Sequence, residues 1–256
     1  MCLALLALRA HPEHAVVIAA NRDEYHARPA SPAHWWKEGW LAGRDLLAGG
    51  TWLGVTRKGR FALVTNVRRQ GSYDAQAPSR GQLVLRFLGS DNPPEESMHA
   101  IVSDAHRCNG FNLLGGDTQS AAWGSNRGPA SQGLMPAIYG LSNEQLDTPW
   151  PKVRRSKKAL AQWCESADRN AQSIEALFEI LVDHTIAPDD ELPATGVGIE
   201  RERMLSAPFI VSATYGTRNS TVITIGYDGK ARLVERTFDA AGERTGEVEF
   251  RFTLEE

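Results

Sequence analysis

A chain of 256 residues with 42% hydrophobic residues and a formal net charge of −3 can bury a substantial core, and it lacks the bulk positive charge that holds nucleic acid. Its cysteines, Cys2, Cys108 and Cys164, are odd in number, widely spaced and form no C-x-x-C pair. They point to neither a disulfide framework nor a zinc site, and suit a reducing compartment such as the cytoplasm. No stretch approaches the roughly 18 apolar residues of a membrane-spanning helix, so no transmembrane segment is expected.

Leu3 to Leu8 and Ala15 to Ala20 are short apolar runs joined by a Pro-containing turn, which predicts a β-hairpin. The first run is too short for a secretory signal and is interrupted by Arg9 and His11, so residues from 1 onward are read as part of the fold. Pairing the two runs brings Cys2 beside Asn21-Arg22-Asp23, placing a thiol, a guanidinium and a carboxylate on one rim of a sheet. Residues 25–40, rich in Pro, His and Trp, and 43–50 read as loop. Thr51–Thr56 and Phe61–Val67 flank an Arg57-Lys58-Gly59-Arg60 turn and predict a second hairpin, with Asn66 at a strand end. Helices are expected over 79–89, with Ser79 as cap, and over 94–107. Short strands follow at 111–116 and 120–125, then a Gly-, Pro- and Ser-rich stretch over 128–149. A long helix is expected from Trp150 or Pro151 to about Ala167, with Lys152, Arg154, Arg155, Lys157 and Lys158 on a solvated basic face, and another over 173–184. Residues 185–206 read as polar loop. Strands are expected at 209–211, 220–225, 231–236 and 247–252, with a hairpin turn at Tyr227-Asp228-Gly229-Lys230. Strands, then helices, then strands give an α+β fold with largely antiparallel sheet, read as one domain over residues 1–256.

The chemistry sits at the N-terminus. The side chain of Cys2 is small enough for the initiator Met1 to be removed. The thiol and a free α-amine, whose pKa lies near 8, would then share one residue, and the amine could take the thiol proton. Arg22 would favour thiolate, and Asp23 could hold the amine or orient Arg22. Asn66 and Asn143 could donate to a developing oxyanion, and Arg218 could bind a carboxylate. Each residue also has a plainer reading. Cys2 could be a small buried hydrophobe. Arg22 could make a structural ion pair, and the asparagines could be turn residues. The seven histidines match no metal motif, and the absence of C-x-x-C-H excludes covalent haem.

Several strings recur in order along nearly the whole chain: Met1-Cys2, Ala20-Asn21-Arg22-Asp23-Glu24, Gly49-Gly50-Thr51-Trp52-Leu53-Gly54, Thr65-Asn66, Gly110-Phe111-Asn112-Leu113, Tyr139-Gly140-Leu141-Ser142-Asn143 and Tyr215-Gly216-Thr217-Arg218. Together they resemble the NRDE family, which includes the transport and Golgi organisation protein 2 group. The resemblance implies an N-terminal nucleophile (Ntn) hydrolase-like fold: a four-layer αββα sandwich of two stacked antiparallel sheets flanked by helices. More distantly it extends to the choloylglycine hydrolase and penicillin V acylase branch. There it implies cleavage of a non-peptide amide by Cys2, Arg22, Asp23, Asn66, Asn143 and Arg218, with no cofactor. It also implies a rival function, non-catalytic binding and trafficking of haem or of an acyl-CoA or lipid ligand in the same cavity.

Overall fold

Period-two alternation in the first hairpin sets up the architecture. β1 (Cys2–Leu8) pairs antiparallel with β2 (His14–Tyr25), and along β1 Ala4, Leu6 and Leu8 enter one apolar cluster while Leu3, Leu5 and Ala7 enter another. A sheet buried on both faces needs a layer on each side. On one side that layer is helical: α3 (Pro151–Glu165) and α4 (Ile174–Leu181) bring Val153, Leu160, Leu177 and Phe178 to the second cluster. On the other side it is a second sheet.

The computed structural model describes residues 2–68, 73–128, 131–166 and 173–255. Among these, a six-stranded antiparallel sheet runs β10-β1-β2-β11-β12-β13, with β10 Ala137–Leu141, β11 Tyr215–Gly226, β12 Lys230–Phe238 and β13 Arg244–Thr253. A seven-stranded antiparallel sheet runs in chain order from β3 to β9: Ala30–Trp35, Trp40–Asp45, Leu53–Thr56, Phe61–Asn66, Phe111–Gly116, Ala121–Ser125 and Ser131–Leu134. Phe61, Leu63, Leu114 and Trp123 of the second sheet meet Leu6, Ile18, Ile223 and Leu233 of the first. Behind the second sheet lie α1 (Gly81–Leu88) and α2 (Pro94–Asp104), which bury Val84, Phe87, Met98 and Ile101 against Ala62, Phe111 and Leu113. The order is helix, sheet, sheet, helix, the αββα sandwich. N- and C-terminal strands share the first sheet, because β2 lies between β1 and β11. No helix of the described residues is long and apolar enough to cross a membrane.

Three segments differ from the sequence reading. Residues 30–45 form the β3–β4 hairpin rather than loop, with Trp35 packed edge-on against Phe252 and Ala33 buried. Their large aromatics mask a short alternation. The stretch over 128–149 contains β9 and β10, and Leu141 of β10 is fully buried in the inter-sheet core. The polar segment 185–206 closes with α5 (Ile199–Ser206), and residues 209–211 are not a strand. The expected end of the long helix at Ala167 lies outside the described residues.

One buried carboxyl ties the two sheets together. Glu235 of β12 accepts a hydrogen bond from the Ala33 backbone N–H of β3 at 2.8 Å and from the Thr221 hydroxyl of β11 at 3.0 Å. Burial raises its pKa from the ordinary 4.5 to about 7, against the pull of these two bonds and of Arg22. A folded-state pKa above the unfolded value gives stabilisation that is fully present below the unfolded pKa and is lost as pH rises through about 7. Glu235→Gln cannot ionise. Its stability relative to the native chain is therefore expected to improve by about 3 kcal/mol between pH 5 and pH 8, read as the pH dependence of the difference in melting temperature. A constant difference across that range would overturn the assignment.

Candidate active site

The β1–β2 register pairs Cys2 directly with Arg22, the juxtaposition expected from the two apolar runs. Strand parity then separates the neighbours. Cys2 and Arg22 continue the inter-sheet series of Ala4 and Ala20. Asn21 and Asp23 face the helical layer with Val17 and Ala19. Asn21 is consumed there. Its Nδ2 donates to the Leu181 and Pro208 carbonyls at 2.7 and 2.9 Å, and its Oδ1 accepts from Ser220 Oγ at 2.6 Å. It fastens β2 to α4 and carries no chemistry.

Cys2 is partly buried at one wall of an open cleft of about 310 Å³ lined by residues of both sheets. Arg22, Trp52, Asn66 and Arg80 share that cleft with it. Arg22 is 5% exposed, its guanidinium stacks on Trp52 at 4.4 Å, and its Nη1 has no hydrogen-bond partner among the described residues. A buried guanidinium nitrogen left unpaired costs free energy unless a ligand meets it. Glu24 touches Arg22 only at 3.9 Å. The Cys2 carbonyl accepts from Ser142 Oγ at 2.9 Å, so the strand end is held independently of the thiol.

The thiol rests protonated. Burial raises the Cys2 pKa and the Asp23 charge adds to the rise, while the Asp23 backbone N–H and Arg22 act the other way. Arg22 therefore tempers the penalty of burial instead of creating a standing thiolate, and the proton must leave as attack occurs.

Asp23 is buried at 3% exposure, and its Oδ1 accepts from Thr217 Oγ1 at 2.7 Å. Burial raises its pKa, opposed by Lys152 among others. Lys152 corrects the sequence reading of a solvated basic face: it is 1% exposed, and its Nζ has no hydrogen-bond partner among the described residues. Burial lowers its pKa from 10.5 to about 8, with the Asp23 charge opposing the fall. It sits four residues before buried Ser156 and eight before buried Leu160, the spacing of the apolar face of α3, and that position on the stripe is the signal in the sequence that could have found it.

The remaining expected residues divide. Asn66 lines the cleft, and its side-chain amide makes no hydrogen bond among the described residues. Asn143 is fully buried, and its Nδ2 donates to the Asn66 carbonyl at 2.7 Å, so it positions Asn66 from behind. Arg218 occupies the bulge between Thr217 and Asn219, where β11 slips by one residue against β2. Its Nη1 reaches the carbonyls of Tyr25, His26 and Arg28 at 3.0–3.2 Å, so it braces the loop that leaves β2 and stays outside the cleft. Arg80, at the N-cap of α1, was not anticipated as a site residue. The Gly49-Gly50 motif explains its placement. A Cβ on Gly50 would lie 2.6 Å from the Gly81 carbonyl carbon, so only glycine lets α1 begin against this wall. Met1 lies outside the described residues.

The family model for Transport and Golgi organisation 2 matches residues 1–240. The chain belongs to that family. The human relative, a Transport and Golgi organization protein 2 homolog, is 34% identical over 240 residues, covering 87% of this chain and 86% of its own length. Among solved structures, penicillin V acylase from Agrobacterium tumefaciens superposes with a TM-score of 0.55 at 11% identity, covering 99% of this chain and 86% of its own. The C2A mutant of conjugated bile acid hydrolase from Clostridium perfringens gives a TM-score of 0.52 at 9% identity, covering 98% and 92%. Family membership confirms the resemblance read from the motifs, and the fold is that of the Ntn hydrolases.

The cleft walls carry Arg22, Asp23, Glu24, Arg28, Asp45 and Arg80 and no histidine; Cys2 and Tyr73 are the lining side chains of a type that can ligate haem iron. The His11–His14 pair stacks with Trp163 at the opposite end of the β1–β2 hairpin. No group of three metal-ligating side chains occurs among the described residues.

Proposed function

We propose that this family member is a cysteine-dependent hydrolase that cleaves a C–N amide bond in a small molecule, with Cys2 as N-terminal nucleophile. The observation that carries the reading is the pairing of Cys2 with Arg22 at an open cleft that also presents the uncommitted amide of Asn66. Removal of Met1 gives Cys2 an α-amine with an ordinary pKa near 8. That amine takes the thiol proton as sulfur attacks the amide carbon. The Asn66 N–H donates to the oxyanion, a contribution of roughly 3 kcal/mol at such sites. The α-ammonium returns its proton to the leaving amine as the C–N bond breaks. Water, deprotonated by the same amine, then hydrolyses the thioester and regenerates the thiol. Asp23, buried below the strand end, holds the ammonium form. The fold neighbours named as an acylase and a conjugated bile acid hydrolase support the reaction class. Free Cys2, Cys108 and Cys164 suit a reducing compartment, and we place the protein in the cytoplasm.

Intact mass with timed alkylation tests this reading. Met1 is expected to be absent, and Cys2 is expected to alkylate at least tenfold faster than Cys108 and Cys164. Those two are 7% and 4% exposed, and burial raises the pKa of both, that of Cys164 to about 11. Retained Met1, or a Cys2 no faster than the other two, would overturn it. An acyl-lipid carrier is the second reading, favoured by Leu47 and Tyr73, which stand 70% and 77% exposed at the cleft mouth. It requires saturable binding with no turnover in the processed protein.

A further inference from the structure

Lys152 is a buried group that the hydrolytic chemistry does not use, and its position is costly in three ways. It is 1% exposed, so its ammonium has given up bulk water. Its Nζ has no hydrogen-bond partner among the described residues. It is also the second residue of α3, whose first turn holds no acidic residue, so its charge stands against the positive end of the helix dipole. A buried charge so placed needs an opposite charge to answer it.

Two buried carboxylates compete for that role. Glu202 lines the same small void as Lys152 and Arg68, but its oxygens are already taken. One accepts from Arg68 Nη1 at 2.6 Å, and the other accepts the backbone N–H and hydroxyl of Thr195 at 2.8 and 2.6 Å. Asp23 is as deeply buried, and its Oδ1 accepts from Thr217 Oγ1, a neutral hydroxyl. Strand parity turns Asp23 to the helical layer that contains α3. There its charge and that of Lys152 act on each other, each opposing the effect of burial on the other. Arg22 lies on the opposite face of β2, stacked on Trp52.

We infer that Lys152 is a positioning residue of this site: its ammonium is the counter-charge that keeps the Asp23 carboxylate ionised beneath the Cys2 strand end. The inference rests on the hydrolase reading only in giving that carboxylate a task. Once the α-amine of Cys2 has taken the thiol proton, Asp23 faces an ammonium. Before that step the amine is neutral, and a buried carboxylate with no second cation would take up a proton itself. Lys152 holds the charge on Asp23 through both states, so the amine keeps an acceptor that orients its lone pair towards the thiol.

The test reads Asp23 directly, in Cys2→Ala protein carrying carbon-13-labelled aspartate, with the Asp23 carboxyl signal identified by its loss in Asp23→Asn. Besides Lys152 of α3, the titratable and charged groups around Asp23 are Cys2 of β1, Arg22 of β2, Arg68 beyond β6, and Tyr215 of β11, whose hydroxyl donates to the Asp23 carbonyl at 3.0 Å. Lys152→Met leaves all of these in place. It is expected to raise the pH midpoint of Asp23 by at least about one unit, the effect of removing an opposite charge a few ångströms away, whereas Lys152→Arg should leave the midpoint near its native value. In processed protein with Cys2 intact, the acid limb of kcat/KM should move up with the Asp23 midpoint. At pH 7, kcat should fall roughly tenfold or more while KM changes by less than about twofold. If Lys152→Met fails to fold, the double variant of Lys152→Met with Asp23→Asn, which removes both charges, should fold again. Failure of both makes Lys152 a packing residue and overturns the inference. A midpoint that moves in Lys152→Met, with no turnover in the native chain at any pH, leaves the counter-charge standing and sinks the hydrolase reading. An Asp23 midpoint unchanged in Lys152→Met overturns the counter-charge whatever the turnover.

Discussion

Cys2→Ala is expected to abolish amide hydrolysis, by at least about 10³-fold in kcat/KM, while leaving the fold intact. The two halves of this expectation have separate physical causes. Loss of turnover follows because neither other thiol reaches the cleft: Cys108 packs behind the second sheet, and Cys164 behind the first. Retention of the fold follows because the strand end is fixed by backbone pairing to Arg22 and by the Ser142 hydroxyl on the Cys2 carbonyl, neither of which involves the side chain. Removing one partly buried sulfur costs roughly 1 kcal/mol or less. Kinetics on a panel of N-acyl amides, with a melting curve on the same sample, checks both halves. Turnover that survives in the variant would remove Cys2 from the reaction. A large drop in melting temperature would make it a structural cysteine. A chain engineered to keep Met1 should be as inactive as the alanine variant, because its α-amine belongs to another residue.

The sequence made the N-terminal hairpin legible because two alternating apolar runs and a short polar turn leave only one antiparallel register that buries both faces. The same parity contains more than a shared rim: it sends Arg22 to the inter-sheet side with Cys2 and Asp23 to the helical side with Lys152. What escaped the sequence was whatever depends on contacts distant in the chain. The β3–β4 hairpin is hidden by prolines and tryptophans whose burial is decided by β13, and Trp35 meets Phe252 more than two hundred residues away. Arg218 looked like a substrate anchor, but a one-residue bulge redirects it to backbone carbonyls, and bulges leave no periodic trace. Arg80 reads as an ordinary residue before a helix until the Gly50–Gly81 approach sets that helix start against the cleft. Lys152 was misjudged through composition: in a run of five basic residues its position on the apolar stripe of α3 outweighs its type.

Glu202→Ala is expected to destabilise the protein by about 3–5 kcal/mol. Glu202 of α5 and Arg68 form an ion pair at 2.6 Å with side chains only 5% and 6% exposed. A buried pair contributes little net stability while intact, because desolvation offsets attraction, but deleting one partner removes the closest counter-charge from the other in a poorly solvated site. Here the deletion does more. The second oxygen of Glu202 accepts both the backbone N–H and the hydroxyl of Thr195, at 2.8 and 2.6 Å, so the segment leading into α5 loses its anchor as well. Arg68 is in turn stacked on Trp150 at 4.8 Å, and its backbone N–H donates to the Asn143 carbonyl at 2.8 Å. Because Asn143 holds the Asn66 carbonyl, the Arg68 guanidinium lies two contacts from the proposed oxyanion donor. For a chain of this length the loss corresponds to a fall in melting temperature of about 10 °C. Glu202→Gln keeps an acceptor for Thr195 and should lose roughly half as much. If kcat falls further than the loss of folded protein explains, measured well below the melting temperature, then the Arg68–Asn143–Asn66 chain positions the cleft. If Glu202→Ala melts within about 2 °C of the native chain, water or a shifted Arg68 compensates the charge and the pair is not the clamp that holds α5 to the sandwich.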